Sequence, residues 1–162
     1  MPNAVLRNSD FKSSMLDNIF ELERRSGIKL DIVQKTMLAE TGSTEQILSI
    51  LTDSEVRVDI VQQREIEDVI SRDSIIVNNS TGRVLVRAKC KIFVKNLPRT
   101  ILYQIRLRQL GIGKIISNSS LETFRKIIEF GYDQENRSVF RRYHIIYRKK
   151  VAFEIQEELT GL

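Results

Sequence analysis

The chain has 162 residues, 41% apolar and 29% charged, an ordinary soluble composition for one domain large enough for a real core. No apolar run approaches the roughly 20 residues of a membrane-spanning helix, and the stretch Met1 to Arg7 lacks the apolar block of a secretory signal. The formal charge is +5 and there is one cysteine, Cys90, so an internal disulfide is excluded, and the positive field suits either nucleic acid or a small anion.

From Ser9 to Ser26 the spacing of Phe11, Met15, Leu16, Ile19, Phe20 and Leu22 predicts an amphipathic helix, capped by Ser9 or Asp10 and ended by Gly27. Residues Ile28 to Glu40 carry a short apolar run that periodicity alone does not assign. Thr41 to Leu48 reads as a turn feeding a helix, with Ser43 or Thr44 as cap and Gln46 three residues after Ser43. Such a start is a well-capped helix, and its free N–H groups can also receive a carboxylate.

Residues 55–65 predict a strand with Val56, Val58 and Ile60 inward. Arg72 to Asn78 and Arg83 to Val94 predict a hairpin across the turn Asn79-Ser80-Thr81-Gly82. Val84, Val86, Ala88, Cys90, Ile92 and Val94 share one face, so Cys90 reads as a small core residue rather than a nucleophile. Arg72, at the start of its strand, is either a solvated edge arginine or an inward guanidinium fork for a carboxylate. Pairing Ile76 with Val84 sets Arg72 opposite Ala88 on the apolar face.

Asn96-Leu97-Pro98 ends the pair, and Thr100 to Leu110 predicts a helix. Leu110-Gly111-Ile112-Gly113-Lys114 has neither dinucleotide-fingerprint nor phosphate-loop spacing and reads as a tight turn bringing backbone near a ligand. Helix and strand compete over Phe124 to Tyr132, where Phe124, Ile128, Phe130 and Tyr132 alternate and Lys126 interrupts; strand is the reading adopted. The chain closes on two strands around the basic turn Arg148-Lys149-Lys150. Val151, Phe153, Ile155 and Leu159 point one way, and Glu157 falls on that apolar face. Either the strand ends at Ile155 and Glu157 is solvated, or the carboxylate is paired, protonated or set in a cavity. A lone histidine on a strand is usually packed or solvated, so His144 is left outside the site. No metal-ligand spacing is present.

Four separated patterns, G-S-T-E-Q-I, R-x-x-I-I, L-G-I-G-K-I-I and the R-R-Y to I-Q-E-E-L hairpin, give the chain from about Thr41 to Leu159 a resemblance to chorismate pyruvate-lyases. The resemblance implies one α+β domain over residues 1–162, with a six-stranded antiparallel sheet and flanking helices. It implies an active-site arginine at Arg72, a last-strand active-site glutamate at Glu157, and backbone contacts near Ser43 and Ile112. Gly111 stands where that family usually has proline, which implies a looser lid. The implied reaction converts chorismate to 4-hydroxybenzoate and pyruvate without metal or cofactor, for quinone or phenolic-compound synthesis. On this reading Glu157, its pKa raised by the apolar face, gives a proton to the departing enolpyruvyl group or holds the ring hydroxyl. The competing expectations are an effector-sensing domain of the same fold, which binds an aromatic acid without turnover, and a basic nucleic-acid module. The lyase reading expects a small-molecule partner, no nucleic acid, no membrane span, and a monomer or weak homodimer. The Asn-, Ile- and Lys-rich style and the missing targeting segment fit a small cyanobacterial or algal-plastid-encoded relative, and the expected location is the cytoplasm, or the plastid stroma if plastid-encoded.

Overall fold

The computed structural model describes residues 3–161; Met1, Pro2 and Leu162, within the expected 1–162 domain, lie outside the described residues. Strand β1 (Ala4–Arg7) comes first. Helices α1 (Met15–Ser26), α2 (Ile32–Ala39) and α3 (Thr44–Thr52) follow. Strands β2 (Val56–Ile66), β3 (Val69–Asn78) and β4 (Val84–Phe93) then lead to helices α4 (Arg99–Arg106) and α5 (Ile112–Ser117). The chain ends with strands β5 (Thr123–Asp133), β6 (Ser138–Tyr147) and β7 (Lys150–Leu159). The strands form one antiparallel sheet in the order β1-β5-β6-β7-β4-β3-β2.

The sheet therefore has seven strands where six were expected. The extra one, β1, is four residues long, too short for a period-two signal, and it is held at the edge by pairing Ala4 to Arg7 with Tyr132 to Glu129. The first helix also starts later than its apolar spacing predicted. Residues Asn8–Asp10 make a 3-10 turn in which the Asp10 carboxylate accepts from the Arg7 N–H at 3.0 Å, and Ser14 caps α1. Gly27 ends α1 with φ +71°, in the left-handed region that glycine enters without penalty. The unassigned run contains α2, opened by a reciprocal Asp31–Gln34 capping box.

Helices lie against one face of the sheet, in two apolar groups. Leu6, Leu22, Met37, Leu38, Leu48 and Phe130 belong to the first, where α1 meets β1 and β5, α2 meets β6, and α3 meets β2 and β3. Ile70, Ile92, Ile101, Ile105, Ile115 and Phe153 belong to the second, under α4 and α5. The other face carries Arg87, Lys89 and Lys91 of β4, all exposed. Between the two groups runs a polar seam, and the strand register explains its position. Arg72 pairs with Cys90, and Ala88 pairs with Glu157. Because Ala88 and Cys90 are two residues apart on one strand, Arg72 and Glu157 share a face.

That register corrects the expected pairing. Ile76 faces Val86 and Arg72 faces Cys90, a shift of two residues that preserves the face; a bulge follows at Ile76/Val77. Arg72 is also the fourth residue of β3 rather than its first, and it is 1% exposed, so the edge-arginine alternative fails.

Candidate active site

Each side of the seam is set by a local rule. Ser43 caps α3, its hydroxyl accepting from the Gln46 N–H at 3.3 Å, which brings Thr44 and the start of the helix over the sheet. Across the seam, Leu110 and Gly111 lead into α5, and Gly111 is its cap residue. A Cβ on Gly111 would lie 2.9 Å from Glu45 Oε1 and 2.9 Å from Val58 Cγ2, so only glycine lets this backbone lie so close to the sheet. The Gly111 segment thus opens a helix rather than forming a free turn, and it packs tightly where a looser lid was expected.

Beneath it lies a cavity lined by Ser43, Arg72, Ile112 and Glu157 together with Thr44, Glu45, Val58, Ala88, Cys90, Arg125 and Tyr143. All four residues singled out in the sequence meet there. The space open to the centre of a water molecule is about 60 Å³, well below the ~300 Å³ at which drug-sized ligand pockets begin.

Glu157 is 3% exposed. Its Oε2 accepts from Arg141 Nε at 3.0 Å, and its Oε1 accepts from the Tyr143 hydroxyl at 2.7 Å and the Thr44 hydroxyl at 3.1 Å. Strand β7 runs on to Leu159, so the reading that ended it at Ile155 fails. The expected rise in the Glu157 pKa is reversed. Burial pushes it up, but the Arg141 guanidinium, the Tyr143 hydroxyl and the Arg125 guanidinium together hold it below the usual carboxylate value. Glu157 is thus a carboxylate at neutral pH, an acceptor with no proton to give.

Arg141, with a fully buried side chain, also holds the Glu40 carboxylate in a very short contact. Burial works to lower its pKa, yet Glu157, Tyr143 and Glu40 raise it above the ordinary arginine value. Arg125 donates to the Thr44 hydroxyl at 3.1 Å, lies 3.6 Å from Glu40, and stacks over the Tyr143 ring at 4.8 Å.

Arg72 is different. Its Nε donates to Gln63 Oε1 at 2.7 Å, Nη1 to the Leu110 carbonyl at 2.7 Å, and Nη2 to the Ile105 carbonyl at 2.9 Å. Among the described residues no carboxylate lies within ion-pair distance of it. Its charge is met by carbonyls near the end of α4, where the helix dipole is negative. Three of five N–H donors are used, leaving two for a ligand. Burial lowers its pKa, but arginine stays protonated. Cys90 beside it has its thiol pushed up to about 12 by burial, so it is a neutral wall residue. His144 faces away and pairs with Glu154 at 3.1 Å.

Among curated proteins, "Putative lyase MJ0807" of Methanocaldococcus jannaschii is 32% identical over 76% of this chain and 76% of its own length. The chain belongs to the chorismate lyase-like family. The chorismate pyruvate-lyase of Mycobacterium leprae is 26% identical across 77% of this chain and 72% of that protein. That of Mycobacterium tuberculosis strain H37Rv is 26% identical across 73% and 74%. No family model matches. Among solved structures, PhnF from Mycobacterium smegmatis superposes with a TM-score of 0.51 at 10% identity, covering 76% of this chain. The chain spans 65% of PhnF's length, a little under two thirds, and this likeness shows the fold alone.

For this chorismate lyase-like chain, sequence reasoning missed Arg141, Tyr143, Arg125, Thr44 and Glu40. The signal for two of them was present: Val139, Arg141, Tyr143 and Ile145 alternate onto the face that β7 fills with Ile155 and Glu157. Arg125 was hidden by a β-bulge between Ile127 and Glu129, which switches the strand's parity. Before the bulge Arg125 lines the cavity and Phe124 and Lys126 are exposed; after it Phe130 and Tyr132 are buried. Lys126 had looked like the exception to one alternation that in fact is two.

Proposed function

We propose that the chain is a chorismate pyruvate-lyase, splitting chorismate into 4-hydroxybenzoate and pyruvate. The observation that carries the reading is the pairing, in one cavity, of a guanidinium that has two unused N–H groups and, among the described residues, no carboxylate partner with an ionised, buried glutamate. A ring acid needs the first for its carboxylate and the second for its hydroxyl. The lyase names of the relatives support the same reading.

In the reaction the ring C–H at the hydroxyl-bearing carbon and the neighbouring ether C–O bond break. A new C=C bond completes the aromatic ring, the enol oxygen becomes a carbonyl, and the methylene gains a hydrogen to become the methyl of pyruvate. Atoms and electrons balance with no external oxidant or reductant. Arg72 holds the ring carboxylate. Glu157, with three of its roughly four acceptor positions filled, offers the last to the ring hydroxyl. N–H groups near Ser43 and Ile112 bound the ligand, and the lid excludes water. The product would feed quinone or phenolic-compound synthesis.

The test is incubation of the purified chain with chorismate, following 4-hydroxybenzoate by absorbance and pyruvate by a coupled assay. Equimolar formation of both is expected. Tight 4-hydroxybenzoate binding without turnover would replace the lyase with a non-catalytic aromatic-acid sensor.

A further inference from the structure

The proposed substrate has two carboxylates, and Arg72 and Glu157 account for one of them and for the ring hydroxyl. The cavity holds one more cation with unused capacity. Arg125 lies on β5, four strand spacings from β3 across the sheet, roughly 19 Å at the usual 4.7–4.9 Å per strand. From those distant strands both arginines line the same cavity. Among the described residues only Nη1 of Arg125 is engaged, with Thr44 and, at the longer distance of 3.6 Å, Glu40. Glu40 already has the shorter contact to Arg141. Arg125 Nη2 points at the lid, 3.8 Å from where a Cβ of Gly113 would sit. Its guanidinium carbon lies 4.8 Å from the Tyr143 ring centroid and Nη1 is already bonded to Thr44, so little rotamer freedom would be lost on taking up an anion.

We infer that Arg125 is the second carboxylate anchor, the residue that selects a substrate with a carboxylate on its ether arm over an aromatic acid with one carboxylate. The inference rests on the lyase reading and deepens it. Arg72 grips the ring carboxylate, present in substrate and product alike. Arg125 grips the carboxylate on the enolpyruvyl arm, which departs as pyruvate. After cleavage the ring product keeps Arg72 and Glu157 but no longer has the contact to Arg125. The competing structural role, balancing Glu40, predicts a loss of stability with no preference between ligands.

The discriminating experiment uses the full chain, calorimetric binding and two unreactive ligands: 4-hydroxybenzoate and 3-(carboxymethoxy)-4-hydroxybenzoate, which adds a second carboxylate on an ether arm. The wild-type chain should bind the dicarboxylate more tightly. Arg125→Gln should weaken the dicarboxylate roughly tenfold to a hundredfold, as expected for lost charge-assisted hydrogen bonds, and 4-hydroxybenzoate far less; Arg125→Lys should restore part of the difference. Equal weakening of both ligands, or no preference for the dicarboxylate in the wild-type chain, overturns the inference while leaving the lyase reading intact. Failure of the wild-type chain to bind either ligand removes both. Discrimination without chorismate turnover keeps Arg125 as an anchor and removes the catalysis.

Discussion

Two buried arginines on the same face of one sheet behave in opposite ways. Arg141 sits between two carboxylates, Glu157 and Glu40, and its charge is consumed by the fold. Among the described residues Arg72 meets only two backbone carbonyls and the Gln63 side-chain amide, and its charge is left over. Both side chains are almost without solvent. Burial therefore does not separate a structural arginine from a ligand-binding one; the chemistry of the partners does. An ion pair closes on itself, whereas a guanidinium held by neutral acceptors keeps a field that an anion can answer.

The largest expected effect comes from breaking the closed side. Arg141→Ala leaves Glu157 and Glu40 buried without their principal cation, a loss that typically costs about 3–5 kcal/mol. At roughly 2–4 °C per kcal/mol for a domain of this size, the thermal midpoint should fall by about 6–20 °C. A midpoint within a couple of degrees of wild type would mean that the pair does not hold the seam together. Arg72→Met should reverse the ranking. It loses two charge-assisted bonds to substrate, each worth about 1.5–3 kcal/mol, so kcat/KM should drop at least a hundredfold. Its stability loss should be the smaller of the two, since no carboxylate is stranded. Steady-state kinetics beside thermal melts of both variants would show whether stability and turnover divide between the arginines in this way.

The contrast sharpens with pH. The native pKa of Glu157 lies below its unfolded value, near 4.3. In that interval the unfolded chain binds more protons, so stability is fully present above the unfolded value and is lost as pH falls through the native one. Glu45, at the lid, has the opposite sign: burial is the main cause and raises its pKa, and Lys114 and Arg125 only partly oppose it. Glu45 thus favours the fold at acid pH, an advantage lost as pH rises through its native pKa. Glu157→Gln should flatten the acid side of the stability profile and lower turnover; Glu45→Gln should raise the neutral-pH melting point slightly. Urea titrations between pH 3 and 8 would report both, and an unchanged acid limb in Glu157→Gln would show that other carboxylates set it.

Much of the seam was legible in the residues. The clean alternation of β7 placed Glu157 inward, and the turn Asn79 to Gly82 fixed a hairpin that put Arg72 on the same side even with its register two residues off. Legibility failed where a rule is local and the outcome is not. The parity of β5 depends on a bulge that no propensity encodes, and this hid Arg125. The pKa of Glu157 depends on Arg141 and Tyr143 reaching it from β6, so apolar periodicity alone gave the wrong sign. The edge strand β1 needs its partner β5 to exist at all.

The smallest expected effect tests whether the open arginine also works the lid. Arg72 holds the Leu110 carbonyl, one residue before Gly111, and Gly111 rests on Val58 and Glu45. In Gly111→Ala the new Cβ would crowd both at 2.9 Å. Glu45 can swing aside, but Val58 is fixed in β2, so the lid backbone must lift away from the sheet. Overpacking of this kind costs about 1–3 kcal/mol. The lift pulls directly on the Arg72–Leu110 bond, so Gly111→Ala and Arg72→Met touch the same contact and should not add. A double variant less destabilised than the sum of the singles, read from denaturant midpoints, would show that Arg72 closes the cavity it serves. Strict additivity would confine Arg72 to its ligand.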